Sequence, residues 1–512
     1  MAELNEVEFN KSLRLIAKSS IIVFVGVILS KVFLYLFKVI IARYFGPEVY
    51  GFFSISLMIL TLFVVVSLFG LSEGLLRFIP IYLGKNEIKK VSWLLKTASL
   101  IALVSSIIFS FVLYFSAYWI SNTIFHNPIL IIYLKISAFV IPFLALSNIY
   151  LSVIRAFERI TAYSFILNIF QNLVKLVFLL ILIFFGLKSN SIMIAYLIGT
   201  MSMLAISYLF CKYKISELFG KFHVSKTEKK KIKFSVFAYS LPLMFSSIFY
   251  LVYTWIDSFV IGTLRVNGIV EVGIYNAAVP IALILAIFPE LFMQMFYPFI
   301  TKEYAKKNYK LIQDLSKQIT KWIFIISLPI FIIMFIFPGA VINIFFGQKF
   351  LSSEFTLRIL SLGVFISILN GFFTTLLSMA GKSKTIFANL IVTSLINLIL
   401  NIILVPKYGI IGAATSTTIA WVLLTIVLFV QVRLVLGFVP LKKKLVSIFL
   451  ISLVPALILI IVRQFVAVNV LTLIVLGILF VLVYLLAILL IKGFDRNDLG
   501  ILRSIKRKIY SM

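Results

Sequence analysis

The strongest constraint in this sequence is a succession of apolar stretches, each about 20 residues long, that recurs along the whole chain. A helix rises about 1.5 Å per residue, so a stretch of this length is what a helix needs to cross the hydrocarbon core of a bilayer. Hydrophobic residues make up 62% of the 512 positions and charged residues only 12%, which is more apolar surface than a soluble core of this size can bury. The sequence therefore predicts an all-α polytopic membrane protein with about fourteen transmembrane helices.

The predicted spans fall into a set of six, a second set of six and a final pair. The first set is Ser19–Ala42, Gly51–Tyr82, Ser92–Phe115, Ile129–Phe157, Ser164–Phe185 and Ser191–Cys211. The second set and the final pair are Phe234–Leu264, Gly273–Ile300, Trp322–Ile344, Leu357–Met379, Ile386–Val405, Ile411–Val432, Leu445–Val462 and Val470–Ile491. The segment before the first span mixes Glu3, Glu6 and Glu8 with Lys11 and Arg14, which is unlike a signal peptide, so we expect the first helix to stay in the mature chain.

The Lys and Arg residues that give the chain its net charge of +30 are predicted to lie mostly on one side of the membrane. Lys and Arg residues crowd into every second connection, whereas the intervening connections hold only seven of the 47. Those seven are Arg43, Lys188, Arg265, Lys349, Arg358, Lys407 and Arg463. This positive-inside pattern predicts a multi-pass protein of the cell (cytoplasmic) membrane with both termini in the cytoplasm. It also argues against nucleic acid as a partner, because the charge follows the membrane and not one face of a domain.

Few residues in this chain are suited to metal, thiol or catalytic chemistry. The single cysteine, Cys211, excludes an internal disulfide, and two histidines cannot build a His/Cys metal cage. There is no Walker loop, no G-x-S-x-G motif and no long outside segment for a catalytic domain. We therefore expect no catalytic residues, cofactor or resident metal, and not an enzyme.

The chain also resembles itself at a spacing of about 220 residues. IIARYFGPEVYGFFSIS after the first span parallels VIGTLRVNGIVEVGIYNAA after the seventh, so that Gly51 and Gly273 begin corresponding helices. The predicted organisation is an N-lobe at 1–211, a basic cytoplasmic connector at 212–233, a C-lobe at 234–435, and two further helices with a basic tail at 436–512. Two pseudo-symmetric six-helix lobes are a transporter layout, with the substrate site near the midplane between the halves.

The segment ARYFGPEVYGFF resembles the opening signature of polysaccharide-biosynthesis flippases. WIDSFVIGTL, VGIYNAA and FYPFITKEYAKKN agree with that family, and the likeness covers nearly the whole chain. It points to the Wzx-like or MurJ-like branch of the multidrug/oligosaccharidyl-lipid/polysaccharide exporter superfamily. The resemblance implies an inner-membrane flippase for a polyprenyl-linked sugar, working by alternating access around a cationic cavity. It also implies that Leu445–Ile491 form a groove for the lipid tail.

Basic residues inside the spans are the main candidates for substrate contact. Lys31 lies about 18 Å from either end of its predicted helix, and Lys38 follows two turns later on nearly the same face. A charge at the membrane centre costs at least ~2.5 kcal/mol on insertion scales, which makes retention without a purpose improbable. Paired ammonium groups would hold the phosphate or pyrophosphate of a lipid-linked sugar, although a structural ion pair would also explain Lys31.

Asp257 on the seventh span is a candidate counter-ion to Lys38, or alternatively a structural carboxylate bonded to Tyr253 or Thr254. Asp257 and Glu290 are the candidates for carrying a coupling ion. The remaining candidates for substrate binding are Arg43, Arg265, Lys135 and Lys175. The two arginines stand near the first outside loop of each repeat, where an interfacial anchor is the simpler explanation.

Three functions remain open at this point. The first is a flippase for a polyprenyl-(pyro)phosphate-linked oligosaccharide used in surface polysaccharide or glycan synthesis. The second is a cation-coupled multidrug exporter of the same superfamily, and the third is an integral polysaccharide polymerase or glycosyltransferase. For the first, the expected partners are an anionic lipid-linked glycan and the bilayer, with glycan-assembly enzymes as a further candidate class.

Overall fold

The computed structural model describes residues 29–220, 224–442, 444–465, 469–491 and 493. Helices account for nearly all of these residues, and none of the described residues lies in a β-strand. The prediction of an all-α polytopic membrane protein is confirmed. The start of the first predicted span and the basic C-terminal tail lie outside the described residues.

The α-helices are numbered in chain order. They are α1 (29–45), α2 (Pro47–Leu68), α3 (Leu71–Gly84), α4 (Ile88–Trp119), α5 (Leu130–Ala156), α6 (Ile160–Ser164), α7 (Gln171–Phe184), α8 (Ser191–Lys214), α9 (Lys226–Leu264), α10 (Gly268–Ala282), α11 (Ile287–Ala305), α12 (Tyr309–Ile336), α13 (Pro338–Phe345), α14 (Glu354–Ser367), α15 (Asn370–Met379), α16 (Ser383–Leu436), α17 (Lys444–Phe465) and α18 (Val470–Leu490). Short π-helical segments at Ile120–Ile124 and Phe165–Phe170 extend α4 and join α6 to α7.

Twelve helical segments within the described ranges are long and apolar enough to cross a membrane, so the predicted count of about fourteen is not confirmed. The first predicted span is only partly described, because α1 is seen from residue 29 onward. The predicted spans Ile386–Val405 and Ile411–Val432 both lie inside the 54-residue α16. Gly409 breaks that helix with φ 56° and ψ −134°, a conformation that only glycine adopts readily.

The predicted span Gly51–Tyr82 is two helices in the structure. Phe69 and Gly70 both have positive φ, 48° and 69°, which ends α2 in the left-handed conformation typical of a helix C-terminus. Gly70 also lies against α9, since a Cβ there would be 2.2 Å from the Ser240 carbonyl oxygen. The break therefore turns α3 so that its backbone packs closely on α9.

The chain divides into two compact units. The first comprises residues Met1–Ala277 and Leu390–Ser416, and the second comprises Ala278–Asn389 and Thr417–Met512. In the first unit α5 packs against α2, α3, α4 and α8. In the second unit α12 packs against α11, α14, α17 and α18. The predicted lobes at 1–211 and 234–435 remain a prediction.

Gly51 and Gly273, which correspond in the sequence repeat, each pack against the helix that carries the other glycine. Both lie in the first unit. A Cβ on Gly51 would lie 1.9 Å from the Ile269 carbonyl oxygen, and a Cβ on Gly273 would lie 1.9 Å from the Pro47 carbonyl oxygen. The beginnings of α2 and α10 thus pack backbone to backbone in a reciprocal contact. Small residues at such positions are what permits helices in membranes to approach this closely.

Substitution of Gly51 by alanine tests this contact. A methyl group 1.9 Å from a backbone oxygen forces the two helix ends apart, and overpacking of this kind costs about 1–3 kcal/mol. We expect G51A to lower the apparent melting temperature of the purified protein in detergent. G371A is the matched control, because Gly371 on α15 has nothing within 4 Å of an added Cβ and alanine favours a helix. Equal melting temperatures for the two variants would contradict the close contact.

Candidate functional site

Asp257 on α9 is a buried carboxylate, with 6% of its surface exposed. Tyr275 on α10 donates its hydroxyl proton to Asp257 Oδ2 at 2.6 Å, and Asn401 on α16 donates from Nδ2 to Oδ1 at 2.8 Å. All three residues belong to the first unit. Hydrogen bonds to an ionised acceptor are the strong ones, so this carboxylate ties three helices together.

Asn401 connects the carboxylate to a second amide one turn earlier on α16. Its Nδ2 also contacts the Asn397 backbone oxygen and Asn397 Oδ1, both at 2.9 Å. The Asn401 Oδ1 atom is buried and has no hydrogen-bond partner among the described residues. An unsatisfied buried carbonyl oxygen is costly, and carboxylate and amide oxygens together are the ligands that hard cations prefer.

A second set of hydrogen bonds lies beside this cluster and joins α2, α9 and α10. Asn276 donates from Nδ2 to Ser258 Oγ at 2.9 Å. Tyr50 on α2 donates its hydroxyl proton to the Asn276 backbone oxygen at 3.2 Å. Both tyrosines of this region, Tyr50 and Tyr275, are almost fully buried. The polar groups are thus held in a rigid frame and are shielded from water.

The predicted cation pair lies on α1. Phe37 and Ile41 form the buried face of that helix, and Phe37 makes an edge-to-face contact with Phe53 of α2 at a centroid distance of 5.8 Å. Lys31 and Lys38 are both half-buried and lie about two turns apart at the border of this face. Both lysines therefore lie at the edge of a packed helix, in the described part of the first predicted span. Arg43, near the end of α1, is exposed.

Lys135 and Lys175 contact aromatic rings of neighbouring helices. Lys135 Nζ lies 5.0 Å from the centre of the Tyr114 ring, and Lys175 Nζ lies 3.7 Å from that of Tyr196. Lys175 is only 6% exposed, and its stem fills the space that Gly199 leaves on α8. Cation–π contacts of this kind partly compensate the burial of an ammonium group. Substrate contact by these two lysines stays a prediction.

Arg265, the arginine of the first outside loop in the second repeat, forms hydrogen bonds to other residues of the protein. Its Nε donates to Glu271 Oε1 and Oε2 at 3.0 and 3.1 Å, and its Nη1 donates to the Pro406 carbonyl oxygen at 3.1 Å. The hydrogen bonds to Glu271 raise the pKa of Arg265, so the guanidinium remains charged. Glu290, the other predicted ion-coupling residue, is exposed on α11 of the second unit.

An apolar cavity of about 470 Å³ lies in the first unit, between α2, the end of α4, α9 and α16. Five aromatic side chains form much of its wall. They are Phe63, Trp119, Phe125, Trp255 and Phe259. Its lining has almost no polar surface, so the group that it accommodates best is a hydrocarbon chain.

Sequence reasoning identified Asp257 but not Tyr275, Asn397 or Asn401. A usable signal was present, because Asn397 and Asn401 are four residues apart in a predicted span and so share one helix face. Tyr275 gave no comparable signal, since a tyrosine in an apolar helix is ordinary. The partners of Asp257 lie 18 and 144 residues away, which spacing along one helix cannot show.

Known proteins match this chain in sequence and in fold. A family model described as polysaccharide biosynthesis protein matches residues 16–303, and the model MatE matches residues 242–403. An uncharacterized membrane protein of Methanocaldococcus jannaschii is 26% identical over 471 residues, which are 89% of this chain and 91% of that protein. The lipid II flippase MurJ of Bacillus subtilis is 22% identical over 414 residues, which are 73% of this chain and 74% of that protein.

A solved structure of the lipid II flippase MurJ, in an inward closed conformation, superimposes with a TM-score of 0.71 at 20% identity. The superposition covers 91% of this chain and 98% of the MurJ chain, which shows that the two proteins share a fold. The polysaccharide biosynthesis model extends over more than half of this sequence and confirms the resemblance that the sequence motifs indicated. The chain therefore belongs to the polysaccharide biosynthesis protein family and is a membrane transporter of the multidrug/oligosaccharidyl-lipid/polysaccharide exporter superfamily.

Proposed function

We propose that this protein is a flippase that moves a polyprenyl-(pyro)phosphate-linked oligosaccharide across the cell membrane by alternating access. The observation that carries the proposal is the pair Lys31 and Lys38, two half-buried lysines on α1, in the first predicted span. Two positive charges about 10 Å apart suit an elongated anion such as a pyrophosphate with its first sugar. Each can supply charge-assisted hydrogen bonds to phosphate oxygens.

Other features support a lipid-linked substrate. The aromatic-lined cavity between α2 and α9 offers an apolar environment for part of a hydrocarbon chain. Relatives are named as flippases, among them MurJ for lipid II. The distribution of Lys and Arg among the connections supports an orientation with both termini in the cytoplasm. Lys31, about 18 Å from either end of its predicted helix, would meet a substrate charge deep in the membrane.

We propose further that a cation drives the cycle and binds at Asp257. The carboxylate, the Asn397 amide oxygen and the otherwise unpartnered Asn401 Oδ1 would supply oxygen ligands from two helices. In this structure Asn401 Nδ2 faces Asp257 Oδ1 and Asn397 Oδ1, so the Asn401 amide would have to rotate for its oxygen to face the cation. The bound cation would then neutralise the buried charge and satisfy the Asn401 oxygen. Glu290 is the weaker candidate, because it is exposed, whereas Asp257 is buried beside two amide side chains.

A cation-coupled multidrug exporter is the second candidate. It is favoured by the MatE family model, whose match at residues 242–403 includes Asp257, Asn397 and Asn401. The two functions share the coupling site and differ in cargo. The lysines of α1 decide between them, because paired cations attract an anionic lipid and repel a cationic drug.

The lysine pair can be tested by a flipping assay in proteoliposomes with a polyprenyl-pyrophosphate-linked sugar. Replacing Lys31 by Gln removes a charge-assisted hydrogen bond, an interaction of about 1.5–3 kcal/mol, so we expect K31Q to lower the flipping rate at least tenfold. K38Q should have a similar or smaller effect. K96Q is the matched control, because Lys96 Nζ donates to the Gly220 carbonyl oxygen instead. A K31Q protein that flips at the wild-type rate would contradict the role of Lys31 in binding the substrate. A wild-type protein that flips no pyrophosphate-linked sugar but transports cationic drugs would contradict the flippase proposal and favour the exporter.

The coupling site is tested by the cation dependence of the same flipping rate. D257N keeps the size of the side chain but removes the charge that a cation requires, so we expect it to abolish stimulation by a sodium or proton gradient. E290Q should retain most of that stimulation. The opposite result, with D257N stimulated normally and E290Q not, would move the coupling role to Glu290.

A further inference from the structure

The connection between α9 and α10 is fastened to α16 by one arginine. The Arg265 guanidinium uses Nε and Nη2 on Glu271, and Nη1 on the Pro406 carbonyl oxygen at 3.1 Å. Glu271 lies in the first turn of α10, and Pro406 lies within α16. The planar fork of an arginine matches a carboxylate in this way and fixes direction as well as distance. The three segments are therefore held in one defined arrangement.

The point of attachment on α16 is the place where that helix is weakest. Pro406 has no backbone N–H to donate, so the helix loses a hydrogen bond there. Gly409, three residues on, leaves helical geometry with φ 56° and ψ −134°. Carbonyl oxygens before such a break need partners from outside the helix, and Arg265 supplies one to Pro406. A Cβ on Gly409 would lie 3.1 Å from Glu271 Oε2, which places the carboxylate against the break itself.

The same two helices are joined a second time, at Asp257 and Asn401. Asp257 lies about 12 Å before Arg265 along α9, and Asn401 lies about 8 Å before Pro406 along α16. The buried bond between Asp257 and Asn401 is 2.8 Å long. The Arg265–Pro406 and Asp257–Asn401 hydrogen bonds thus both join α9 to α16. Both depend on the position of α16 relative to α9.

We propose that Arg265 is a positioning residue for the cation site: with Glu271 it fixes the broken segment of α16 so that Asn397 and Asn401 stay within reach of Asp257. This inference rests on the proposed coupling role of Asp257. Without the arginine, α16 can pivot at Pro406 and Gly409, and the two amide oxygens lose their fixed distance to the carboxylate. A cation then binds only after the helix has been ordered again, which weakens its apparent affinity.

The simpler explanation is a surface ion pair that only adds stability. Arg265 is 34% exposed and Glu271 20% exposed, and pairs of this kind contribute little to stability on their own. The two explanations make different predictions. A stabilising pair alone would alter the melting temperature or the amount of folded protein, whereas a positioning residue alters the concentration of cation at which transport is half-maximal.

The test compares R265Q with R358Q in proteoliposomes, by titrating sodium ions or protons and measuring the flipping rate. Arg358 is a matched control in the second unit, because it also binds a carboxylate and a backbone oxygen, those of Glu354 and Phe335. We expect R265Q to raise the half-maximal cation concentration at least about fivefold, with the rate at saturating cation within about twofold of wild type. R358Q should leave the half-maximal concentration unchanged.

The exchanged pair R265E/E271R separates geometry from charge. It restores the ion pair but leaves the Pro406 oxygen without its donor, so we expect recovery of less than half of the lost affinity. R265K keeps the charge and loses the fork, and it should resemble R265Q. A cation dependence in R265Q identical to that of wild type would overturn the inference.

D257N in the same series distinguishes the two proposals. If D257N abolishes cation stimulation and R265Q titrates like wild type, the coupling site stands and the positioning role fails. If D257N is stimulated normally, the proposed coupling site fails, and the positioning role of Arg265 falls with it.

A distance measurement tests the attachment independently of transport. Val266 and Tyr408 are both exposed and flank the two ends of the guanidinium link, so each can be replaced by a spin-labelled cysteine, while Cys211 is buried. We expect a narrow distance distribution between the labels in the otherwise wild-type protein and a broad one when R265Q is added. A distribution that stays narrow in R265Q would show that Arg265 does not hold this segment.

Discussion

A carboxylate inside a membrane protein must be given partners, and the way in which Asp257 obtains them determines much of the first unit. No water in the hydrocarbon region can solvate the charge, so the hydroxyl of Tyr275 and the amide of Asn401 do so. These donors come from α10 and α16, which are distant in sequence. The Asp257 carboxylate therefore fixes the rotation of three helices about their own axes. The hydrogen bonds of Asn276 to Ser258 and of Arg265 to Pro406 join the same helices.

The fold class could be predicted because the length of an apolar stretch is a direct consequence of bilayer thickness. The number of helices could not be predicted equally well, since breaks within a span depend on backbone conformation. Phe69 adopts a left-handed conformation and ends α2 inside what was predicted as one span. At Gly409 the backbone leaves helical geometry and α16 consists of two helices on either side of a kink, in the gap between the predicted spans Ile386–Val405 and Ile411–Val432. Apolar patterning is blind to the break at Phe69 because apolar residues continue on both sides of it.

The candidate site was predictable only where a formal charge marked it. Asp257 stood out because ionised groups in a membrane span are rare and costly. Asn401 did not, since an uncharged amide can be satisfied by its own helix, and only the tertiary structure shows its oxygen to be buried without a partner. The structure shows hydrogen bonds from the Arg265 guanidinium to Glu271 and to Pro406, which the sequence did not indicate, and substrate contact by Arg265 stays a prediction. Glu271 follows Arg265 by six residues across a turn, a separation that helical spacing rules do not cover.

The reciprocal contact of Gly51 and Gly273 has a thermodynamic consequence. Most helix contacts order side chains, and each ordered side chain loses rotamer freedom when the contact forms. Here the atoms nearest to a Cβ on either glycine are backbone atoms of Ile269 and Pro47, which have no rotamers to lose. Formation and separation of this contact therefore involve little change in conformational entropy, so its strength should depend only weakly on temperature and mainly on how closely the two helix ends can approach.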